Sequence, residues 1–235
     1  MAPVTTSDSL AIVIGATGGI GAALVDELQS SGLWGAVVGL GRNSLPSIDL
    51  TREDSVRDAA HSLSATSYPL RLIVNATGVL GGKGCVVEKS LRQIDPEAMR
   101  RAFMINSIGP ALLMKHFLPL LARDGRSVFA TLSARVGSIG DNRLGGWYSY
   151  RASKAAQNQL VRSAAVELKR SHPGAICVAI HPGTVDTSLT RGYAKTGLDV
   201  QTPAVAAQRI LGVLDDLDIG QSGGFFDNKG LAIPW

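Results

Sequence analysis

Residues 10–21 read Leu10-Ala11-Ile12-Val13-Ile14-Gly15-Ala16-Thr17-Gly18-Gly19-Ile20-Gly21. An unbroken apolar run from Leu10 to Ile14 suits a strand buried on both faces, as in a parallel sheet covered by helices. The glycines that follow permit a tight turn and let backbone N–H groups approach an anion at the positive end of the next helix, expected over about Gly19 to Ser31. Strand, glycine loop and helix in that order form a cradle for a dinucleotide pyrophosphate. Gly15, Thr17, Gly18, Gly19, Ile20 and Gly21 are therefore the first candidate cofactor-binding residues.

The same alternation continues along the chain. Ala36–Leu40, a short Ser47–Leu50, Leu70–Asn75, Ser127–Leu132, Ala175–Ile180 and Gly224–Phe226 read as strands. Between them, Thr51 is placed as the N-cap of a helix to about Leu63, and Pro96 opens a long helix within Asp95–Leu121. Further helices are expected at about 146–171 and from Pro203 to about Leu217. The pattern predicts an α/β fold, a Rossmann-type doubly wound and mostly parallel sheet of about seven strands with helices on both faces, in a single domain over residues 1–235.

Composition narrows the function classes. With 45% apolar and 18% charged residues, the chain fits a compact enzyme rather than a disordered or fibrous protein. The net charge of +4 is scattered, with short pairs such as Arg100-Arg101, so no nucleic-acid partner is expected; a mildly basic surface or a pocket for an anionic cofactor fits better. Cys85 and Cys177 have no metal-ligand spacing, and Cys177 lies in an apolar strand run where packing is its default role. No metal site is expected. Met1–Ser9 does not read as a signal peptide, and no run approaches the roughly 20 apolar residues of a membrane span. A cytoplasmic protein without a membrane partner is expected.

The end of the second strand bears on cofactor choice. It reads Val38-Gly39-Leu40-Gly41-Arg42-Asn43, with an arginine where a ribose-binding carboxylate would mark NAD. That favours NADP(H), with Arg42 and Asn43 on the 2′-phosphate. Asp49, followed by Leu50, is placed either to accept from the adenine amino group or simply to flank the next helix.

Tyr150 and Lys154 lie four apart, on one helix face. A phenol with a pKa of about 10 is a poor acid or base near neutrality, and an ammonium one turn away would pull that value down. Tyr148 has no such partner, because the residue four positions on is Ala152. Asn106 precedes Pro110 by four residues, and proline has no N–H to bond the carbonyl of residue 106 in a helix. A carbonyl freed there can hold a water leading to Lys154.

Taken together, Gly15-x-x-x-Gly19-x-Gly21, Asn75-Ala76-Thr77-Gly78, Asn106, Ser133, Tyr150-x-x-x-Lys154 and Pro182-Gly183 resemble the short-chain dehydrogenase/reductase family over nearly the whole chain. Ser138-Ile139 to Tyr148 and the Pro234-Trp235 ending resemble the branch with the bacterial C-factor signalling protein and the Sniffer carbonyl reductases. The resemblance implies a catalytic set of Asn106, Ser133, Tyr150 and Lys154. It also implies cofactor contacts at Asn75, Ala76, Gly78, Tyr150, Lys154, Pro182, Gly183, Val185 and Thr187. Counting back from Tyr150 through Gly137 puts the serine slot on Ala134 instead, and Ser138 is the reserve candidate. His181, at a strand end, is read as structural.

The expected function is NADP(H)-dependent oxidoreduction between a carbonyl (aldehyde or ketone) substrate and an alcohol. The alternative is an NADP(H)-binding regulator or C-factor-like signalling protein with little turnover. By resemblance the chain would form a homodimer or homotetramer through the helices at 96–121 and 146–171. Leu112, Leu113, Phe117 and Leu160 are either interface or core, and Trp235 packs on its own domain or on a neighbour. Arg191, Tyr193 and Lys195 fall in the expected substrate lid, Thr187–Val200.

Overall fold

A computed structural model describes residues 7–80, 87–190 and 199–235. Cys85, Arg191, Tyr193 and Lys195 lie outside the described residues. The elements run β1 (Leu10–Ile14), α1 (Gly19–Ser30), β2 (Ala36–Leu40), α2 (Glu53–Ser64), β3 (Leu70–Asn75), α3 (Pro96–Phe103), α4 (Gly109–Phe117), β4 (Ser127–Leu132) and α5 (Tyr148–Ser171). They continue with β5 (Ala175–His181), β6 (Thr184–Val185), β7 (Val200–Gln201), α6 (Pro203–Asp216) and β8 (Phe225–Asp227).

The main sheet has the order β2-β1-β3-β4-β5-β8, with every neighbouring pair parallel. The chain leaves β1 for β2 on one side and returns to β3 on the other. This reversal opens a crevice at the carboxyl end of β1. Side-chain alternation sends Leu10, Ile12 and Ile14 to a core shared with α2, α4 and α5, while Ala11 and Val13 face α1 and α6. Both faces are covered, which is why the strands read as continuous apolar runs. Leu113 and Phe117 are fully buried in the first of these cores, with Leu112 and Leu160 at its margin. The first two are thus core residues of this chain.

Three expectations need correction. The stretch Ser47–Leu50 is not a strand, so the main sheet has six strands instead of about seven. Ile48 and Leu50 alternate inward as a strand would, but Ile48 N–H donates to the Gly41 carbonyl and Asp49 N–H to Ser55 Oγ. Local turn bonds have taken the groups a ladder would use. Thr51 does not cap α2; its N–H and hydroxyl both donate to Asp49 Oδ1, and the helix begins two residues later. The helix over 95–121 is broken into α3, a π-helical turn at Met104–Ile108 and α4, with Gly109 N–H reaching back five residues to the Met104 carbonyl. Pro110, without an N–H, sits just past that wide turn.

The short two-stranded β6–β7 sheet was not foreseen in the sequence; it pairs Thr184 with Val200 and Val185 with Gln201 in parallel. Trp235 stacks on Phe225 at 5.9 Å between ring centroids, and its carbonyl accepts from Gly140 N–H. The aromatic end therefore packs on its own chain. Among the described residues, no helix is long and apolar enough to cross a membrane.

Candidate active site

The glycine loop closes as its composition requires. Gly15 has φ +88°, and a Cβ on Gly21 would lie 2.1 Å from the Gly15 carbonyl oxygen, so any side chain there would push the loop off the helix. Gly18 is the N-cap of α1 and brings no side-chain cap, and the first turn holds no acidic residue. The first N–H groups of α1 are thus left for an external acceptor, as a pyrophosphate site needs. Thr17, Gly18 and Gly19 are exposed around them.

Close approaches draw the other predicted cofactor residues into one line along the carboxyl ends of the strands. A Cβ on Gly41 would lie 3.4 Å from Thr17 Cγ2, which sets exposed Arg42 and Asn43 at one end of the phosphate loop. Asp49 is near enough to Arg42 to feel its charge; its carboxyl is held below the usual range mainly by the N–H and hydroxyl of Thr51, with Arg42 a smaller cause. On the other side, Gly15 abuts Ala76 and Thr77, and Ala76 N–H donates to the Ile14 carbonyl. A Cβ on Gly78 would sit 3.5 Å from Asn106 Oδ1 and 3.6 Å from Lys154 Nζ. Thr187 closes over the loop from the β6 side, 2.9 Å from where a Gly19 Cβ would be. The carbonyl of Val185 accepts from Thr190 Oγ1. These residues, from Arg42 to Lys154, could together hold a dinucleotide.

At the far end lie the candidate catalytic residues. Tyr150, Lys154 and Asn106 are all buried. Lys154 Nζ donates to the Leu132 carbonyl at 2.9 Å and to Gln157 Oε1 at 2.8 Å. Gln157 in turn donates to Thr131 Oγ1, which also receives Asn75 Nδ2. A buried polar chain therefore runs from the end of β3 through β4 to the lysine. The Asn106 amide accepts from Val79 N–H and donates to the Val79 carbonyl, both at 2.8 Å, and donates again to Ser153 Oγ.

Burial works against the charged form of both Tyr150 and Lys154. It pushes the Tyr150 phenol up and brings the Lys154 ammonium down to about 7. The expected downward pull of Lys154 on Tyr150 is not realised in this state. The lysine is bonded to neutral acceptors, and desolvation is what shifts the phenol. His181 is held neutral by burial, its pKa lowered to about 4, and its buried Nδ1 has no partner among the described residues. Buried Cys177 has its thiol pushed up to about 12, consistent with an inert packing residue.

The serines are placed differently from one another. Ser133 Oγ donates to Asn158 Oδ1 at 2.7 Å, so its proton is committed to α5. Ser138 Oγ accepts from Asp141 N–H at 3.0 Å. Ala134, the competing position, is more exposed than Ser133 and has no hydroxyl. Gln157, Asn158, Ser153 and Glu88 were all missed in the sequence. For the three on α5, polar residues recurring on the face that carries Tyr150 and Lys154 were a usable signal.

Residues 15–214 match the family described as enoyl-(acyl carrier protein) reductase. The chain belongs to the short-chain dehydrogenase/reductase family. As such it is an oxidoreductase acting on CH–OH or carbonyl groups. It is 35% identical over 177 residues to the C-signal of Myxococcus xanthus, covering 75% of this chain and 99% of that protein. It is 30% identical over 236 residues to the 1-hydroxy-2-glutathionyl-2-methyl-3-butene dehydrogenase of Rhodococcus sp. strain AD45, covering 97% of this chain and all of the relative. The NADPH-bound carbonyl reductase from chicken fatty liver superposes with a TM-score of 0.83 at 27% identity, over 98% of this chain and 100% of the other.

Proposed function

We propose that this short-chain dehydrogenase/reductase interconverts an aldehyde or ketone and its alcohol with NADP(H), using Tyr150 as acid/base. The observation that carries the reading is the meeting of Lys154 and Asn106 at Gly78, with Tyr150 one turn before Lys154 on α5. In this reading Arg42 and Asn43 hold the 2′-phosphate, Asp49 and Leu50 the adenine, and the α1 N-terminus the pyrophosphate. Asn75, Ala76 and Gly78 line the middle, while Pro182, Gly183, Val185 and Thr187 hold the carboxamide side. The NADPH bound to the chicken carbonyl reductase supports the cofactor choice.

When bound, the reduced nicotinamide supplies the hydride. Tyr150 then donates its proton to the substrate oxygen; burial, which favours the neutral phenol, keeps that proton in place until it is needed. Lys154 holds the ribose and, once charged, steadies the phenolate left behind. Ser133 steers the oxygen after turning its hydroxyl away from Asn158. Ser133→Ala is expected to lower kcat by about 10–100-fold and Ser138→Ala by less than about threefold. The reverse order in steady-state assays would move the steering role to Ser138.

The test of the whole reading is binding of NADPH and NADH to the wild type and Arg42→Ala, followed by a carbonyl panel monitored by NADPH oxidation. Loss of a charge-assisted phosphate contact is expected to raise the NADPH Kd by about 10–100-fold. NADH binding should change less than about twofold, since it has no 2′-phosphate. Equal losses for both cofactors, or none, would remove Arg42 from the site.

The similarity to C-signal favours a second reading, a signalling protein with little turnover. NADPH binding without oxidation across a broad panel would support that reading over the first.

A further inference from the structure

Val79 and Glu88, both between β3 and α3, are linked to α5 on either side of Tyr150. On one side Val79 exchanges both backbone bonds with the Asn106 amide, which also donates to Ser153 Oγ; the Ser153 hydroxyl donates to the Tyr150 carbonyl. On the other side stands Glu88, 5% exposed. Its carboxylate accepts the Ser149 hydroxyl and the Ser149 N–H, the latter at 3.3 and 3.4 Å to its two oxygens, and its carbonyl accepts from Trp147 N–H. Among the described residues no cation pairs with Glu88.

Helix α5 supplies no cap of its own. No side chain bonds at its N-cap, Trp147, and its first turn has no acidic residue. A carboxylate arriving from elsewhere satisfies donors left open there and complements the positive helix end. Trp147 itself is left-handed at φ +53°, a conformation a non-glycine residue keeps only where its neighbours impose it. Its ring meets the Tyr150 ring edge-on, 6.2 Å between centroids. The turn that aims Tyr150 is therefore held by Glu88 from outside the helix, together with Arg151 of α5, whose guanidinium donates to the Gly145, Gly146 and Val136 carbonyls.

We propose that Glu88 is a positioning residue for the reaction: its carboxylate fixes the first turn of α5, and with it the place of the Tyr150 hydroxyl relative to the substrate oxygen. This rests on Tyr150 being the proton donor. A misplacement of about an ångström costs on the order of 10²-fold in rate, so small slackening at Ser149 is enough to be read in kcat.

The experiment compares Glu88→Ala, Glu88→Gln and Ser149→Ala in steady-state NADPH oxidation, with NADPH Kd measured separately. Glu88→Ala is expected to lower kcat by about 10–100-fold with KM and NADPH Kd held within about threefold, since most of the proposed cofactor contacts lie on other elements and Lys154 is more than a turn beyond Ser149. Glu88→Gln keeps an acceptor for Ser149 N–H and should recover kcat to within about fivefold of wild type. A folded Glu88→Ala with kcat within about twofold of wild type overturns the proposal, as does a fall in kcat matched by equal loss of NADPH binding. If Glu88→Ala does not fold, Ser149→Ala decides: kcat lower by about 3–10-fold at unchanged Kd supports the role, and wild-type kcat overturns it. Turnover that survives Tyr150→Phe removes both this proposal and the function it rests on. Turnover abolished by Tyr150→Phe but untouched by Glu88→Ala removes this one alone.

Discussion

Tyr150→Phe is expected to lower turnover by about 10²- to 10⁴-fold, the usual worth of a positioned general acid. NADPH binding should stay within about threefold, because the substitution removes one hydroxyl and leaves the ring in place. Tyr150 is buried, and its ring packs against Trp147, so phenylalanine refills the same space. The pH dependence follows from the direction of the shift. Burial raises the Tyr150 pKa, so the protonated donor persists further into the alkaline range than an ordinary phenol would. The kcat/KM for carbonyl reduction should therefore show no alkaline limb from Tyr150 below a pH of about 10. Stopped-flow or steady-state reduction rates for both proteins across pH check the two statements together. A variant with near wild-type kcat would assign the proton to another group.

Lys154→Met is expected to abolish turnover yet make the cofactor-free protein more stable at neutral and mildly acid pH. Lys154 is 3% exposed, and its amine pKa is brought from 10.5 to about 7 by burial. The sign follows from linkage. Between pH 7 and 10.5 the unfolded chain holds a proton on this lysine that the folded chain has lost, so stability rises with pH across that window. Its contribution is complete above pH 10.5 and is lost as pH falls through about 7. Methionine carries no charge to desolvate, so the variant should be ahead by a few kcal/mol, roughly, at a pH of about 6. The lead should shrink as pH rises towards about 9. The Leu132 carbonyl still accepts from Gln157 Nε2, which limits the cost to about one unmade hydrogen bond at Gln157 Oε1, about 1 kcal/mol. Urea unfolding of both proteins at several pH values measures the gap. A gap independent of pH would mean that the lysine keeps its ordinary pKa in the folded state.

Much of the scaffold was legible because it depends on near neighbours. The strands Leu10–Ile14, Ala36–Leu40, Leu70–Asn75 and Ser127–Leu132 match their apolar runs residue for residue. All but the edge strand Ala36–Leu40, which is partly buried, are buried on two faces, and their composition says so without reference to the rest of the chain. The short run Ser47–Leu50 misled for the same reason. Its alternation is real, with Ile48 and Leu50 buried, but alternation marks where side chains go and not where backbone groups bond. The nearby Gly41 carbonyl and Ser55 hydroxyl claimed those groups first.

By itself, the sequence determined the doubly wound order of strands and helices, the glycine loop at the first crossover and the one-turn spacing of Tyr150 and Lys154. These are set by periodicity and by the conformational range of single residues. Tertiary structure alone decided that Glu88 would meet Ser149, 61 residues away, and that Gln157 would bridge Lys154 to Thr131. It also decided that Ser133 would turn to Asn158, and that burial would raise the Tyr150 pKa. Those outcomes depend on which distant groups become adjacent and how much water is excluded around them. Desolvation and long-range contact are properties of the folded surface, and no spacing along the chain encodes them.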